Sequence, residues 1–140
     1  MSGAQLGRRW IDQASERLVA YKRISRLRDE KDLELYRLDL EDRFGRIADD
    51  DPETIRFFEL LKVKLRAQHL AVSEVAVDKG MLKFRLSPQT PLEPAKLMAW
   101  VGRTKGASLS PDGAVRLPVL GTQDGPLLQA QRVLAEWAAF

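Results

Sequence analysis

The residues of this chain that could do chemistry are carboxylates, cations and a single histidine, and spacing limits each of them. Asp29-Glu30-Lys31-Asp32 has the letters of a helicase D-E-x-D box, but no buried strand precedes it and no G-x-x-x-x-G-K-[ST] loop occurs in the chain. Asp29 or Asp32 reads instead as the N-cap of a helix, its carboxylate accepting a free backbone N–H. Asp49-Asp50-Asp51 lacks the alternating ligands and the Gly-x-acid pattern of a calcium loop. Followed by Pro52, Asp51 reads as a second N-cap with proline at the first helical position. His69 is the only histidine and cysteine is absent, so His pairs, thiolate nucleophiles and cysteine metal sites drop out together. The patterns G-x-G-x-x-G, G-x-S-x-G and H-E-x-x-H are also missing. No catalytic residue, cofactor or metal is assigned, and the chain is not expected to bind or hydrolyse ATP.

The stretch with the most to say is Leu38-Asp39-Leu40-Glu41-Asp42-Arg43-Phe44-Gly45. Leu33, Tyr36, Leu40, Phe44 and Ile47 follow i, i+3, i+4 steps and predict one apolar helical stripe. Phe44 is expected to be buried against the third helix. At about 100° per residue, Asp39, Asp42, Arg43 and Arg46 fall on a neighbouring face, with Leu35 among them and Leu38 at its edge. Gly45 stands where a helix takes a left-handed terminating residue. A charged face holding leucines either packs on another helix of the same domain or meets a partner.

The elements that must position this face follow from composition and periodicity. The chain has 140 residues, 44% hydrophobic and 31% charged, which describes one globular domain with a core of its own, spanning 1–140. No apolar run approaches the roughly 20 residues of a membrane span, and Met1–Trp10 lacks the apolar core of a signal peptide. A cytoplasmic protein, or a piece of one, is the expectation. The net charge of +3 is uneven. Residues 1–31 carry eight Lys/Arg against four Asp/Glu, 32–59 four against ten, and 60–140 eleven against six.

In order, residues 4–27 predict a first helix with Trp10, Ala14, Leu18, Tyr21 and Ile24 on its stripe. Lys22, Arg23, Arg26 and Arg28 crowd its end, where the helix dipole favours cations. The second helix runs to about Phe44 and the third over about 52–70. Phe57, Phe58, Leu61 and Leu65 make one apolar side of the third helix, and Leu60, Val63, Ala67 and Leu70 the other. Two apolar sides predict a place between the helical hairpin and a sheet. His69 is a helix-end residue. From Val75 the period becomes two, with a turn at Asp78-Lys79-Gly80. A short helix over Glu93 to about Arg103 carries Leu97, Met98, Trp100 and Val101; Ser110-Pro111-Asp112-Gly113 turns a second hairpin. Asp124 caps a last helix, 125–139, with Leu127, Ala130, Leu134, Trp137 and Ala138 as its stripe. The expected fold is α+β: an N-terminal three-helix layer packed on a small antiparallel sheet of two hairpins, with an intervening helix and a C-terminal helix.

Arg17-Leu18-Val19-Ala20-Tyr21-Lys22-Arg23-Ile24 followed by Leu38-Asp39-Leu40-Glu41-Asp42-Arg43-Phe44-Gly45 resembles the C-terminal domain of bacterial transcription-repair coupling factors. The family pattern runs R-L-x-x-Y-K-R-I, a spacer, then E-L-x-D-R-F-G. The resemblance covers about residues 10–120. It implies a non-catalytic regulatory domain of a large ATP-driven DNA translocase that couples stalled RNA polymerase to nucleotide-excision repair. In that family the domain packs on the N-terminal module that recruits the damage-recognition ATPase and masks it. The implied partner is that module of the same parent chain, with the ATPase and RNA polymerase met indirectly. The positions carried over to the contact are Asp39, Asp42 and Arg43, with Asp in place of the usual Glu at 39. Leu35, Leu38 and Arg46 join them from the face described above. The family usually has Leu-Pro after the glycine; here Arg46-Ile47 and extra acids intervene.

The competing reading is a small basic nucleic-acid-binding domain, from the pI near 9.4 and the clusters Lys22-Arg23-Arg26-Arg28 and Lys62-Lys64-Arg66. The aromatics fall mostly in core stripes and no nucleic-acid signature is present, so direct DNA binding is not expected.

Overall fold

The computed structural model describes residues 5–120 and 125–140. Its elements run α1 (Ala14–Ile24), α2 (Glu30–Phe44), α3 (Pro52–His69), β1 (Val72–Asp78), β2 (Met81–Leu86), α4 (Pro94–Arg103), β3 (Ser108–Leu109), β4 (Ala114–Pro118) and α5 (Gly125–Ala138). This is the α+β class, with five helices and one four-stranded antiparallel sheet. The chain divides into two compact units, Met1–Leu65 and Arg66–Phe140, the division falling inside α3.

The first unit is helical. Leu33, Tyr36 and Leu40 of α2 are buried as the stripe requires, with Ala20 of α1 and Phe57, Phe58, Leu61 and Leu65 of α3. Phe44 and Ile47 are only partly buried against this cluster. Phe44 meets Trp10 edge to face at 6.4 Å, so the ring is not the fully enclosed core residue the spacing predicts. Asp29 caps α2 by accepting the N–H of Asp32 at 2.8 Å, and Asp32 accepts the N–H of Arg28 at 3.2 Å. Asp51, buried, accepts the N–H of Thr54 at 3.2 Å and Pro52 opens α3. Both capping expectations hold. The polar strip of α3 carries a Glu59–Lys62 pair at 3.3 Å.

The predicted first helix is too long. α1 begins only at Ala14, and residues 5–13 form a strap. Leu6, Trp10 and Ile11 of the strap are buried, whereas Leu18, placed on the stripe, is 55% exposed. The strap is fastened by polar bonds: the Leu6 N–H donates to the Tyr21 hydroxyl at 2.8 Å and the Gly7 N–H to Thr54 Oγ1 at 2.8 Å. Arg9 pairs with Asp50 at 3.2 Å. Trp10 cannot serve a helix and these anchors at once, because its ring is drawn to Phe44 and Phe58.

The second unit holds the sheet, in the order β1-β2-β4-β3 with every neighbour antiparallel. Both predicted hairpins form. Lys79 and Gly80 have positive φ, as a two-residue primed turn requires. Phe84 pairs with Val75 and Val115, and Leu82 with Val77 and Leu117, so these side chains share one face. Phe84 packs on Trp137 of α5 at 5.0 Å, and Trp100 of α4 on Trp137 at 5.4 Å. Met98 is 62% exposed on α4, since Leu97 and Trp100 alone fill the buried face there. Ala138 is also exposed; Gln129 and Val133 are buried instead. The Gln129 amide is bonded through both its atoms, Nε2 donating to the Pro118 carbonyl at 2.9 Å and Oε1 accepting the Leu120 N–H at 3.0 Å. The predicted Asp124 cap lies outside the described residues.

Candidate functional site

α2 is a helix with three different sides. Its buried stripe faces the cluster above. One flank carries Glu34, Arg37 and Glu41, with Arg37 bonded to both acids. The hydrogen bond from Arg37 holds the Glu34 carboxyl below its usual value, against a smaller opposing effect of burial. Glu41 also accepts the Ile47 N–H at 3.2 Å, which ties the chain beyond α2 back to the helix.

The remaining side is the candidate site. Leu35 and Leu38 are 58% and 50% exposed there, and Asp39, Asp42 and Arg43 are exposed beside them. Scattered exposed leucines are ordinary; two adjacent on a helix face with three charges are a local patch. Asp39 and Asp42 form no ion pair among the described residues. Arg43 does: its guanidinium reaches Glu16 of α1 at 3.5 Å and lies over the Phe44 ring, 5.2 Å from the centroid. The charged side therefore runs into the cleft between α1 and α2. Further along that cleft, Arg23 of α1 lies over the Tyr36 ring at 5.8 Å. Burial pushes the Tyr36 phenol above its usual value, and the charges of Arg43, Asp39 and Arg23 act on it with smaller and opposing effects.

Arg46 does not join this face as helical extrapolation predicts. α2 ends at Phe44, and Gly45 has φ 88° with ψ 168°. That is positive φ with an extended ψ, open only to glycine, rather than the left-handed helical turn. The chain leaves the helical path there, and Arg46 lies exposed beyond it. The carbonyl of Gly45 accepts the indole N–H of Trp10 at 2.7 Å. Glu16, Val19 and Trp10 are the residues that sequence reasoning missed at this site. Val19, 57% exposed, sits on α1 between Glu16 and Arg23. Only its place in the R-L-x-x-Y-K-R-I stretch hinted at it.

The other chemistry-bearing residues are not brought together. His69 is exposed as the last residue of α3. Among the described residues no group of three or more His, Cys, Asp or Glu could hold a metal ion, and no helix is long and apolar enough to cross a membrane. Lys22, Arg23, Arg26 and Arg28 are exposed around the end of α1.

No curated protein matches the chain. Among solved structures it is similar to the crystal structure of the C-terminal domain of transcription-repair coupling factor, with a TM-score of 0.73 and 20% identity, over 95% of this chain and 87% of that one. At that identity the likeness is one of fold. The model of the TRCF domain family matches residues 3–97, well over half of the chain and all of α1 and α2. The chain belongs to the TRCF domain family and has the fold of the C-terminal domain of a transcription-repair coupling factor.

Proposed function

We propose that this domain is a non-catalytic, autoinhibitory interaction module: it docks on the N-terminal recruitment module of its parent translocase and masks the surface that receives the damage-recognition ATPase. One observation carries the reading. Asp39 and Asp42 stand exposed and, among the described residues, without an ion-pair partner, beside exposed Leu35 and Leu38; they lie in the stretch that the family resemblance implies is the contact. Unpaired acids beside leucines suit a basic, partly apolar partner surface, since complementary charge steers docking and fixes its register. The parent is a cytoplasmic, ATP-driven motor acting at stalled RNA polymerase, and this domain contributes no ATP site to it.

The test is a binding titration of the 140-residue chain against the N-terminal module. Wild type binds; Asp39→Lys with Asp42→Lys does not, because like charges then oppose each other. In the parent protein the same double change exposes the recruitment surface and strengthens capture of the damage-recognition ATPase. Unaltered docking of the double variant would place the contact elsewhere.

The exposed cations at 22, 23, 26 and 28 favour a second reading, a phosphate-binding surface. A duplex-DNA titration separates the two, since phosphate contacts weaken steeply with salt.

A further inference from the structure

The spacing of α2 offers Arg43 a partner that it does not take. Asp39 stands four residues before Arg43, with the acid on the N-terminal side, which is the favourable order for an ion pair within a helix. Asp42 is its neighbour in sequence. Instead the guanidinium crosses to Glu16 of α1 at 3.5 Å, lying over Phe44 as it does so. Among the described residues, the two acids of the docking face are thereby left without an ion-pair partner. A guanidinium shared between Glu16 and the Phe44 ring is held by two attractions, ionic and cation–π, where Asp39 offers one.

We propose that Glu16 is a positioning residue of the docking face: by drawing Arg43 into the α1–α2 cleft it keeps that side chain from neutralising Asp39, so that the face presents itself as anionic. The inference rests on the docking function given above and deepens it. Arg43 then acts within the domain, setting the charge its partner meets, and the partner's cations are matched by Asp39 and Asp42. Val19, on α1 one turn beyond Glu16, is a further exposed apolar side chain.

The competing role for Arg43 is a direct contact with the partner, and the two roles predict opposite signs. If Glu16 withholds Arg43, Glu16→Gln frees the guanidinium for Asp39 and weakens docking, by about fivefold for one surface ion pair. If Arg43 contacts the partner, freeing it strengthens docking. Removing Arg43 as well makes the case specific. In an Arg43→Gln background, Glu16→Gln changes nothing under the proposal, since no guanidinium remains to be redirected.

A readout independent of docking completes the test. The Arg43 guanidinium carbon lies 5.2 Å from the Phe44 ring centroid, so the expected result is a ring-current shift on the Arg43 side-chain Nε–H resonance of the wild-type chain that Glu16→Gln removes. Persistence of that shift overturns the inference whatever docking does, as does unchanged or tighter docking of Glu16→Gln. If the shift disappears but the wild-type chain fails to dock on the recruitment module, the docking reading itself falls, and with it the assignment of Glu16 to a docking face.

Discussion

The indole N–H of Trp10 donates to the carbonyl of Gly45 at 2.7 Å, and so joins the strap before α1 to the residue that ends α2. The same ring meets Phe44 and Phe58 edge to face, at 6.4 and 6.0 Å. Trp10→Phe keeps an aromatic ring but loses the donor and part of the buried area. Its expected cost is about 1–2 kcal/mol. Gly7 is more demanding, because a Cβ there would stand 2.5 Å from Thr54 Oγ1 and 2.9 Å from both Asp51 carboxylate oxygens. Gly7→Ala pushes directly on the cap of α3 and is expected to cost about 1–3 kcal/mol. Urea melts of the two variants check the pair; a strap that only rests on the surface would leave both midpoints unchanged.

The strap also shows where the sequence stopped being legible. Trp10, Ala14, Leu18 and Tyr21 have helical spacing, and nothing local says that Trp10 is bound by a carbonyl 35 residues away. Leu6 and Ile11, both buried, also keep helical spacing with Trp10 and Ala14, so periodicity alone could not show that the chain leaves the helix before Ala14. By contrast α2 was readable almost to the residue. Leu33, Tyr36 and Leu40 of its stripe, its Asp29 cap and the position of its stop at Gly45 are local signals that packing did not override, although Gly45 pairs its positive φ with an extended ψ. The candidate face was legible as a set of side chains, but the path of Arg43 was not. Whether it turns to Asp39 or to Glu16 depends on which helix lies alongside, and that is tertiary information.

A second gap in legibility yields a stabilising change. α3 gives way to β1 through Ala71, which has φ 54°. Sequence reasoning looks for glycine or asparagine at such a turn, and alanine gives no signal. For a residue with a Cβ the left-handed region is strained. Ala71→Gly relieves that strain at some cost in chain entropy, and a net gain of about 0.5–1 kcal/mol is expected. A thermal melt checks it, with a higher midpoint expected; a lower one would show that the Ala71 methyl group contributes more through packing than the strain costs.

The Glu34–Arg37–Glu41 flank predicts a dependence on pH. Arg37 lowers the Glu34 pKa in the folded chain, so unfolding returns that carboxyl to a higher value. A depressed folded value means the unfolded state takes up the proton first as the solution is acidified. The stabilisation is therefore complete at neutral pH and is lost as the pH falls through the glutamate range. The contribution is small, because half of the Glu34 side chain is exposed to solvent. Arg37→Gln is expected to melt slightly below wild type at pH 7 and together with it in acid. A gap that persists unchanged in acid would assign the effect of Arg37 to packing of its stem.

The charge-reversal pair at Asp39 and Asp42 tests the docking face only if it spares the fold, and the structure gives the sign of each contribution. Neither acid belongs to the buried stripe and neither has an ion-pair partner among the described residues. Asp42 lies in the last turn of α2, where the helix dipole disfavours an anion and favours a cation by about 0.3–1 kcal/mol. Lysine at 42 gains from this effect. Lysine at 39 stands four residues before Arg43, and like charges at that spacing cost about 0.2–0.5 kcal/mol at most while Glu16 holds the guanidinium away. The two effects nearly cancel, so Asp39→Lys with Asp42→Lys is expected to melt within about 0.5 kcal/mol of wild type. Circular dichroism melts at low and moderate salt check the sum, and its electrostatic origin requires the small residual difference to shrink with added salt. A loss of several kcal/mol would instead make this side of α2 internal packing, and a docking defect in the same variant would then carry no information about a partner.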